Sequence, residues 1–572
     1  MIKMQKIIEV QLRTAGVTGD ISFTAPPKPE MGDIAFACFG LAKEWKKSPN
    51  DVALEITGKL KEIKKKLDIV ERVDAIGPYV NFFLNGSEVA KEVLKTIGKE
   101  KGKYGVHKDG AKKKILVEFA CPNPMKAFHL GHLRNTITGE SVSRILENAG
   151  YAVVRVNYQG DVGRHIAMSL WGVQQLHDEF ELVLEKTLEE QVNFLGRAYA
   201  YGAQAFEKDE GAKREILELN KKVYAKDESI IEIYDIARAW SLEYFETIYT
   251  RLGTHFDELY FESEVWERGL EIVRAFLKQS VFVESQGAVI FPGSEHGLHD
   301  RVFISSEGNA TYEAKDLALS ERRHAKHHPD LILHVVGKEQ TEYFKVVFKA
   351  LEHTLPESTG KEFHLPGGFL QLKSGKMSSR TGNVVLGEAL LDMAEEEANA
   401  AMMDHDVKDR IAVGRAVAVA AVKYSILKVH VSADVLFDMK ESVSFSGDSG
   451  PYLLYIVARI KSILRKSQDT NSKIQKILDF RFQISDFEKR LLLKLAEFPE
   501  ATHRAAETYD PSQIAKYLFD LAQTFNAFYD ACPVLQAEDS DVRAFRLQLI
   551  SAVEQVMARG LYLLGIEAVD EM

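Results

Sequence analysis

Across the segment VEFACPNPMKAFHLGH, from Val117 to His132, the hydrophobic spacing changes from that of a strand to that of a helix, with two prolines in between. Ile115, Leu116, Val117, Phe119 and Ala120 make a short β-prone apolar run. Pro122 and Pro124 lack backbone donors and have a fixed φ, so neither strand nor helix continues through them; the strand is expected to end near Ala120. From about Gly131 the apolar residues recur at helical intervals, with Leu133, Ile137, Val142 and Leu146 on one side and Gly150 placed to end the helix. A buried strand passing through a short loop into a covering helix is the unit of an α/β fold with a parallel sheet.

His129 and His132 open that helix, three residues apart, with Gly131 between them. The unpaired N–H groups and positive dipole end of a helix N-terminus favour phosphate, and glycine lets a nucleotide approach the backbone. Imidazoles there add hydrogen bonds to phosphate oxygens as charge develops. An HxGH by itself is equally an ordinary pair of surface histidines. Its partner is GGFLQLKSGKMSSRTGNVV, some 240 residues downstream, a second strand-like run leading into a loop rich in Gly, Ser, Lys and Arg. Lys376, Ser378, Ser379 and Arg380 supply donors suited to closing over polyphosphate.

Composition sets outer limits. A chain of 572 residues with 45% hydrophobic content predicts several domains with sizeable cores. Cys38, Cys121 and Cys532 form no CxxC pair, so neither a zinc knuckle nor a disulfide framework is expected, and a reducing cytoplasm fits. MIKMQKIIEVQLRTAG lacks the apolar core of a signal peptide, and AVAVAAVKYSI from Ala416 is too short to span a bilayer, so no membrane association is expected. The net charge is -11, but residues 1 to 112 hold 20 Lys and Arg against 15 Asp and Glu, a local +5 on an acidic body. That distribution suits contact with a structured RNA at a few patches, and equally a merely solvated surface.

The motifs divide the chain. Residues 1 to 110 are expected to form a small α+β unit, with helices near 3 to 15 and 50 to 66 and a strand at Tyr79 to Leu84, ending in a Lys-rich linker. Residues 111 to 385 are expected to hold a Rossmann-type doubly wound parallel sheet whose halves come from 112 to 165 and 300 to 385, separated by a helical insertion at about 166 to 300. A helical stem from 386 to 440 and an all-helical domain from 441 to 572 follow. In the insertion, Ile233, Ile236, Trp240, Tyr244, Ile248 and Leu252 make one apolar stripe stopped by Gly253, read as core. In the last unit, Ile514, Leu518, Leu521, Phe525 and Phe528 follow the start signal Asp510-Pro511-Ser512-Gln513.

The pair HLGH and KMSSR resembles the HIGH and KMSKS elements of class I aminoacyl-tRNA synthetases. EFACPNPMKAFHLGHLRN resembles the EFSSPNxxKxxHxGHLR block of the arginyl-tRNA synthetase family. NYQGDVG (Asn157 to Gly163), ATYEAKD (Ala310 to Asp316), VVGKEQTEYF (Val335 to Phe344) and FSGDSGPYLLYIVARIKSIL (Phe445 to Leu464) extend the resemblance. Val162 stands where that family usually has tryptophan, Tyr343 where histidine is frequent, and Ser379 where KMSKS has its second lysine. Family members without that lysine use one just upstream of HIGH, which Lys126 matches.

The resemblance implies activation of L-arginine with ATP to arginyl-adenylate, followed by transfer to the 3′-terminal adenosine of tRNA(Arg). It implies catalytic roles for Lys126, His129, His132, Lys376 and Arg380, with Gly131 and Ser378 also at the ATP. Mg2+ would ride on the nucleotide, because no dedicated carboxylate cage or protein metal site is visible. A guanidinium is a planar fork of donors that keeps its charge, so its pocket needs carboxylates and no competing cation. Asp316 and Tyr312 are expected at the guanidinium, four residues apart on one helical face. Glu118, Asn123 and Gln340 are expected at the α-amino end, with Glu262 a weaker candidate. GPYVNFF resembles the strand that reads the tRNA elbow, so Tyr79 would stack on a base and Asn81 bond its edge. Tyr452 and Tyr455 are candidates for anticodon bases. The C-terminal helical unit resembles an anticodon-binding domain, and a cytoplasmic monomer is expected. Another class I synthetase, a small nucleotidylyltransferase or a non-catalytic tRNA-binding relative remain as alternatives.

Overall fold

The computed structural model describes residues 2–63, 68–373, 386–403, 408–467 and 482–572. Lys376, Ser378, Ser379 and Arg380 lie outside them. The N-terminal unit begins with the Ile2–Thr14 helix and an antiparallel sheet of β1 (Phe23–Thr24), β2 (Ile34–Ala37), β3 (Val70–Ile76) and β4 (Tyr79–Leu84) in the order β1-β2-β4-β3. The Pro49–Glu62 helix starts where Ser48 accepts from Asp51 N–H at 3.1 Å and Pro49 takes the first position, where no donor is needed. Val52, Ala53, Ile56 and Leu60 face the sheet from that helix and are buried.

The central sheet is wholly parallel. Its strands are β5 (Lys114–Glu118), β6 (Ala152–Gln159), β7 (Glu258–Phe261), β11 (Leu331–Gly337) and β12 (Glu362–Gly367), in the order β12-β11-β5-β6-β7. From β5 the chain winds outward through β6 and β7, then crosses to the other side at β11. Such a reversal opens a crevice beyond the carboxyl ends of β5 and β11, where ligands of doubly wound sheets bind. Leu116, Val117, Ile332 and Leu333 are fully buried, as expected of strands covered on both faces.

The region expected to be a helical insertion is more varied. β7 lies inside it and is the third strand of the parallel sheet; as an edge strand with Leu259 exposed, it lacks the continuous apolar run that marks β5. β8 (Val283–Ser285), β9 (Ala288–Phe291) and β10 (Arg301–Ile304) form a separate antiparallel sheet, so the segment just after 300 does not enter the parallel one. The helical part holds its own core, including Ile166, Leu170, Phe194, Ile216 and Trp240. Between 386 and 440 the described residues form the helices Gly387–Ala401 and Arg410–Leu427, followed by β14 (Val435–Phe437), which pairs in parallel with β13 (Leu370–Leu372). Beyond Gly450 the described chain is helical, and Ile514, Leu518, Leu521, Phe525 and Phe528 are all fully buried.

Candidate active site

β5 ends at Glu118, and the loop after it holds Ala120, Cys121 and Met125 at φ of 68°, 52° and 60°. Three non-glycine residues in the left-handed region within six positions store strain where the chain turns from strand to helix. The loop is tied down by Cys121 N–H to Asn157 Oδ1 at 3.1 Å and Met125 N–H to Ser241 Oγ at 2.8 Å.

The Leu130–Asn148 helix then starts with His129 as its N-cap. His129 Nδ1 accepts from Gly131 N–H at 3.1 Å and His132 N–H at 3.4 Å, and His132 Nδ1 accepts from His129 N–H at 3.3 Å. The two imidazoles form a reciprocal capping box in the place of the usual Ser and Glu. Both Nδ1 atoms accept, which assigns the Nε2–H tautomer to each ring and leaves both Nε2–H groups as donors. The rings stack 3.6 Å apart. Burial, then the Lys126 ammonium, lowers the pKa of His129; burial, His129 and Lys126 lower that of His132. Both are therefore neutral donors at neutral pH. The field of Lys126 reaches His165 as well, and the Lys126 ammonium lies 5.2 Å from the Tyr199 ring centroid.

Two tethers join this motif to described residues that flank 374–385 in sequence and to the 431–433 loop. Arg134, 2% exposed, donates to Phe369 O at 2.8 Å, Val431 O at 2.9 Å and Ala433 O at 2.7 Å. Gly387 N–H donates to Phe128 O at 2.7 Å, and Leu386, the first described residue beyond KMSSR, bridges to His129.

The carboxylates are not equivalent. Glu118, paired in register with His334 across β5 and β11, is buried, with one oxygen on the Arg323 guanidinium and the other 2.8 Å from His334 Nδ1. His334 passes the contact to Glu362 at 2.8 Å. Burial opposes these charges, but Arg323 and His334 hold Glu118 at a pKa of about 2, and Glu118 raises His334 to about 9. Glu262, at the end of β7, binds Lys315 Nζ at 2.5 Å, and Lys315 also donates to Tyr224 Oη at 3.1 Å. Burial opposes the Lys315 charge, yet Glu262 outweighs it and keeps the ammonium protonated.

Glu118 and Glu262 thus already neutralise cations of the protein. Asp316 instead accepts a hydrogen bond from Tyr343 Oη at 2.7 Å and is in no ion pair among the described residues. Burial foremost, with Glu118 adding, pushes its pKa up to about 7 despite the Tyr343 hydrogen bond. Tyr343, which departs from the resembled family, is a residue whose role the sequence did not indicate. Tyr312 opens the Tyr312–His327 helix and is 56% exposed, one turn before Asp316. Asn123 Oδ1 accepts from Gly160 N–H at 3.1 Å. A Cβ on Gly160 would lie 2.7 Å from that oxygen and 2.9 Å from Glu262 Oε1, so glycine is required where the ends of β5, β6 and β7 converge. Gln340 follows β11 as N-cap residue of the Thr341–Thr354 helix. The crevice thus gathers Glu118, Asn123, Glu262, Asp316 and Gln340 around the carboxyl ends of the parallel strands.

The family model described as tRNA synthetases class I (R), catalytic domain, matches residues 93–439. The chain belongs to the arginyl-tRNA synthetase family. An arginyl tRNA synthetase N-terminal domain model matches residues 3–84, and a DALR anticodon binding domain model matches 453–572. An arginine-tRNA ligase of Treponema denticola is 35% identical over 565 residues, covering 96% of this chain and 95% of that protein. One of Clostridium perfringens is 34% identical over 549 residues, with the same coverage. The Thermus thermophilus arginyl-tRNA synthetase structure aligns with a TM-score of 0.80 at 28% identity, over 99% of this chain and all of that one. The Plasmodium falciparum enzyme, at 22% identity and a TM-score of 0.77, aligns over 100% of this chain and 99% of its own and speaks to the fold alone.

In the N-terminal domain, Tyr79 is half-buried and meets the 50% exposed Phe39 edge-on, ring centroids 5.8 Å apart. Asn81 is 3% exposed, enclosed between β2 and β3, so the expected contact of its side chain with a base edge does not fit this position. Tyr452 Oη accepts from Asn526 Nδ2 at 2.8 Å and, with Tyr455, packs against the helical core.

Proposed function

We infer that this chain is an ATP-dependent arginine-tRNA ligase of class I, and that Asp316 receives the substrate guanidinium. The observation that carries the arginine specificity is the division of labour among the carboxylates of the crevice: Glu118 and Glu262, both buried, are spent on internal cations, and the half-buried Asp316 is left for an external one. Tyr343 orients the Asp316 carboxylate, Tyr312 flanks the fork, and Asn123 and Gln340 hold the α-amino end. Glu118 acts on the pocket through Arg323 and His334 rather than by direct contact, and Glu262 through Lys315.

Arginine's carboxylate attacks the α-phosphate of ATP, pyrophosphate leaves, and the terminal adenosine hydroxyl of tRNA then displaces AMP. The protein supplies no covalent nucleophile; its contribution is positioning and charge stabilisation. The helix N-terminus at Gly131 and the Nε2–H donors of His129 and His132 line the phosphates. Lys126 offsets charge building on them, and Lys376, Ser378 and Arg380 are assigned to the same polyphosphate. Mg2+ arrives with ATP.

Residues 1 to 110 would hold the tRNA elbow, 111 to 385 the chemistry, 386 to 440 a stem, and 441 to 572 the anticodon. A monomer is proposed, and three free cysteines support a reducing cytoplasm. Among the described residues no helix is long and apolar enough to cross a membrane.

The test is aminoacylation of total tRNA with arginine, lysine, glutamine and cysteine offered separately. Charging by arginine alone is expected; lysine charged at a comparable rate would remove the guanidinium reading. For the elbow, a Phe39→Ala/Tyr79→Ala double variant is expected to raise the tRNA KM by the equivalent of roughly 1–3 kcal/mol per unstacked base, with the arginine KM unchanged. Both rings are partly exposed, so the thermal midpoint should hardly move. A loss of stability that tracks the loss of activity would assign them to packing instead.

A further inference from the structure

The short segment that leads into β5 carries a second cluster of chemically capable side chains, far from the nucleotide crevice in sequence role and in neighbours. His107 Nδ1 lies 2.7 Å from Asp109 Oδ2, and His503 Nδ1, from the Phe498–Thr508 helix, lies 2.8 Å from the same oxygen. One carboxylate oxygen thus sits between two imidazole nitrogens that come from opposite ends of the chain. The rings stand 5.4 Å apart, centroid to centroid, at 61°. Two imidazoles bound to one ion at about 2.0–2.1 Å in tetrahedral geometry place their centroids about 5 Å apart. Carboxylate and imidazole ligands on one tetrahedral ion lie about 3.3 Å from each other, so an opening of about half an ångström admits the metal.

The scaffold on both sides is fixed. Tyr104 Oη donates to Leu495 O at 3.1 Å, Thr502 Oγ1 donates to Gly105 O at 2.9 Å, and the Tyr104 ring stacks on Phe498 at 6.1 Å. Gly105 has φ of 82°, and a Cβ there would lie 2.7 Å from the Phe498 ring. His107 N–H donates to Asn148 O at 3.1 Å. These bonds fix the backbone at His107 and beside His503, and the two imidazoles in turn hold the Asp109 carboxylate before any ion arrives. Preorganised ligands on rigid elements are what a metal site requires.

We propose that His107, Asp109 and His503 bind a divalent transition ion of the zinc, cobalt and nickel class. Two imidazoles and one carboxylate suit these borderline ions better than Mg2+ or Ca2+, which prefer all-oxygen shells. Asp109 and His503 are 51% and 44% exposed, which leaves solvent access and room for water as the fourth ligand. On binding, each ring gives up its Nδ1 proton to solvent or to its own Nε2, and Asp109 exchanges two hydrogen bonds for the ion. The ion staples the entry to the catalytic domain onto the C-terminal helical domain and touches no reacting atom.

The experiment uses full-length protein stripped with chelator and titrated with Co2+, followed by visible absorption and calorimetry, with Zn2+ as competitor. The parent is expected to bind one equivalent with tetrahedral-type absorption that Zn2+ displaces. His503→Ala, and Asp109→Asn, which keeps the shape of the side chain, are each expected to weaken that equivalent by at least the ~10–100-fold that loss of an outer partner already costs. Zn2+ should raise the thermal midpoint of the parent but of neither variant. Any Co2+ taken up by histidines of the nucleotide crevice would survive both substitutions and is thereby separated from the equivalent assigned here. A parent that binds no Co2+, or titrations superimposable across parent and both variants, would overturn the site and leave a hydrogen-bonded latch. Aminoacylation does not enter the readout, so the outcome is independent of the function proposed above.

Discussion

Replacing Asp316 with alanine is expected to raise the arginine KM by the equivalent of roughly 2–5 kcal/mol, the range for truncating one partner of a buried charge pair, while the ATP KM barely changes. The measurement is arginine-dependent ATP–pyrophosphate exchange with tRNA present, titrated in each substrate. The expectation follows from the surroundings of Asp316, which is half-buried, bonded to Tyr343 Oη and, among the described residues, without an ion-pair partner. With a pKa of about 7, it is half protonated in the arginine-free enzyme near neutral pH. A guanidinium favours the anion, so below about pH 7 arginine must first displace a proton. The arginine KM should therefore rise as pH falls, by about tenfold per pH unit once well below that value, and level off above it. The folded-state pKa lies above the ordinary 3.8, so the same group costs the arginine-free fold stability as pH rises from that range through about 7. Asp316→Asn should abolish the step in the arginine KM. A flat profile in the parent between about pH 6 and 8 would place the proton elsewhere.

The strand–loop–helix unit that opens at His129 could be read from sequence because its signals are local. A strand broken by Pro122 and Pro124, and a helix opening at Gly131, place backbone donors at a strand's carboxyl end whatever surrounds them. Other features depend on contacts that sequence separation hides. Glu118 meets Arg323 and His334 from 205 and 216 residues away, and only the register of β5 against β11 brings them together. A carboxylate that reads as substrate-binding is thereby committed to the protein's own cations. Tyr343 attracted notice as a departure from the family pattern, and its bond to Asp316 appears only when two helices pack. β7 was missed because an edge strand of four residues carries no continuous apolar signal, yet it brings Glu262 to the crevice. Asn81 sits in a strand enclosed between two others, where alternation alone does not tell a solvent-facing side chain from a covered one. The histidine capping box escaped because helix starts are sought in Ser, Thr, Asp and Asn, while the geometry requires only an acceptor at the right height.

Lys126→Ala is expected to slow adenylate formation on the order of 10²–10³-fold, the usual cost of removing a preorganised donor at developing charge, with little change in the arginine KM. Serine at 379 offers a hydrogen bond but no charge, so the polyphosphate needs a cation from another direction. Lys126 stands three residues before the N-cap, and its field lowers the pKa of His129, His132 and His165. A single ammonium is felt by three imidazoles, two of which cap the Leu130–Asn148 helix, the helix start to which the proposal assigns the phosphates. Burial, the larger cause, and this ammonium together keep those imidazoles neutral, so His129 and His132 remain hydrogen-bond donors while the lysine carries the charge. Lys126→Arg should recover only part of the rate, because a planar fork does not substitute for a compact point charge. Ser379→Lys placed in the Lys126→Ala background should restore some activity by supplying a replacement ammonium. In Lys126→Ala the two histidines should also titrate at higher pH, a shift readable by NMR that a purely structural role for the lysine would not produce. The rate is measured by arginine-dependent pyrophosphate exchange with tRNA present. A Lys126→Ala enzyme whose rate stays close to that of the parent would move the required charge to Lys376 or Arg380.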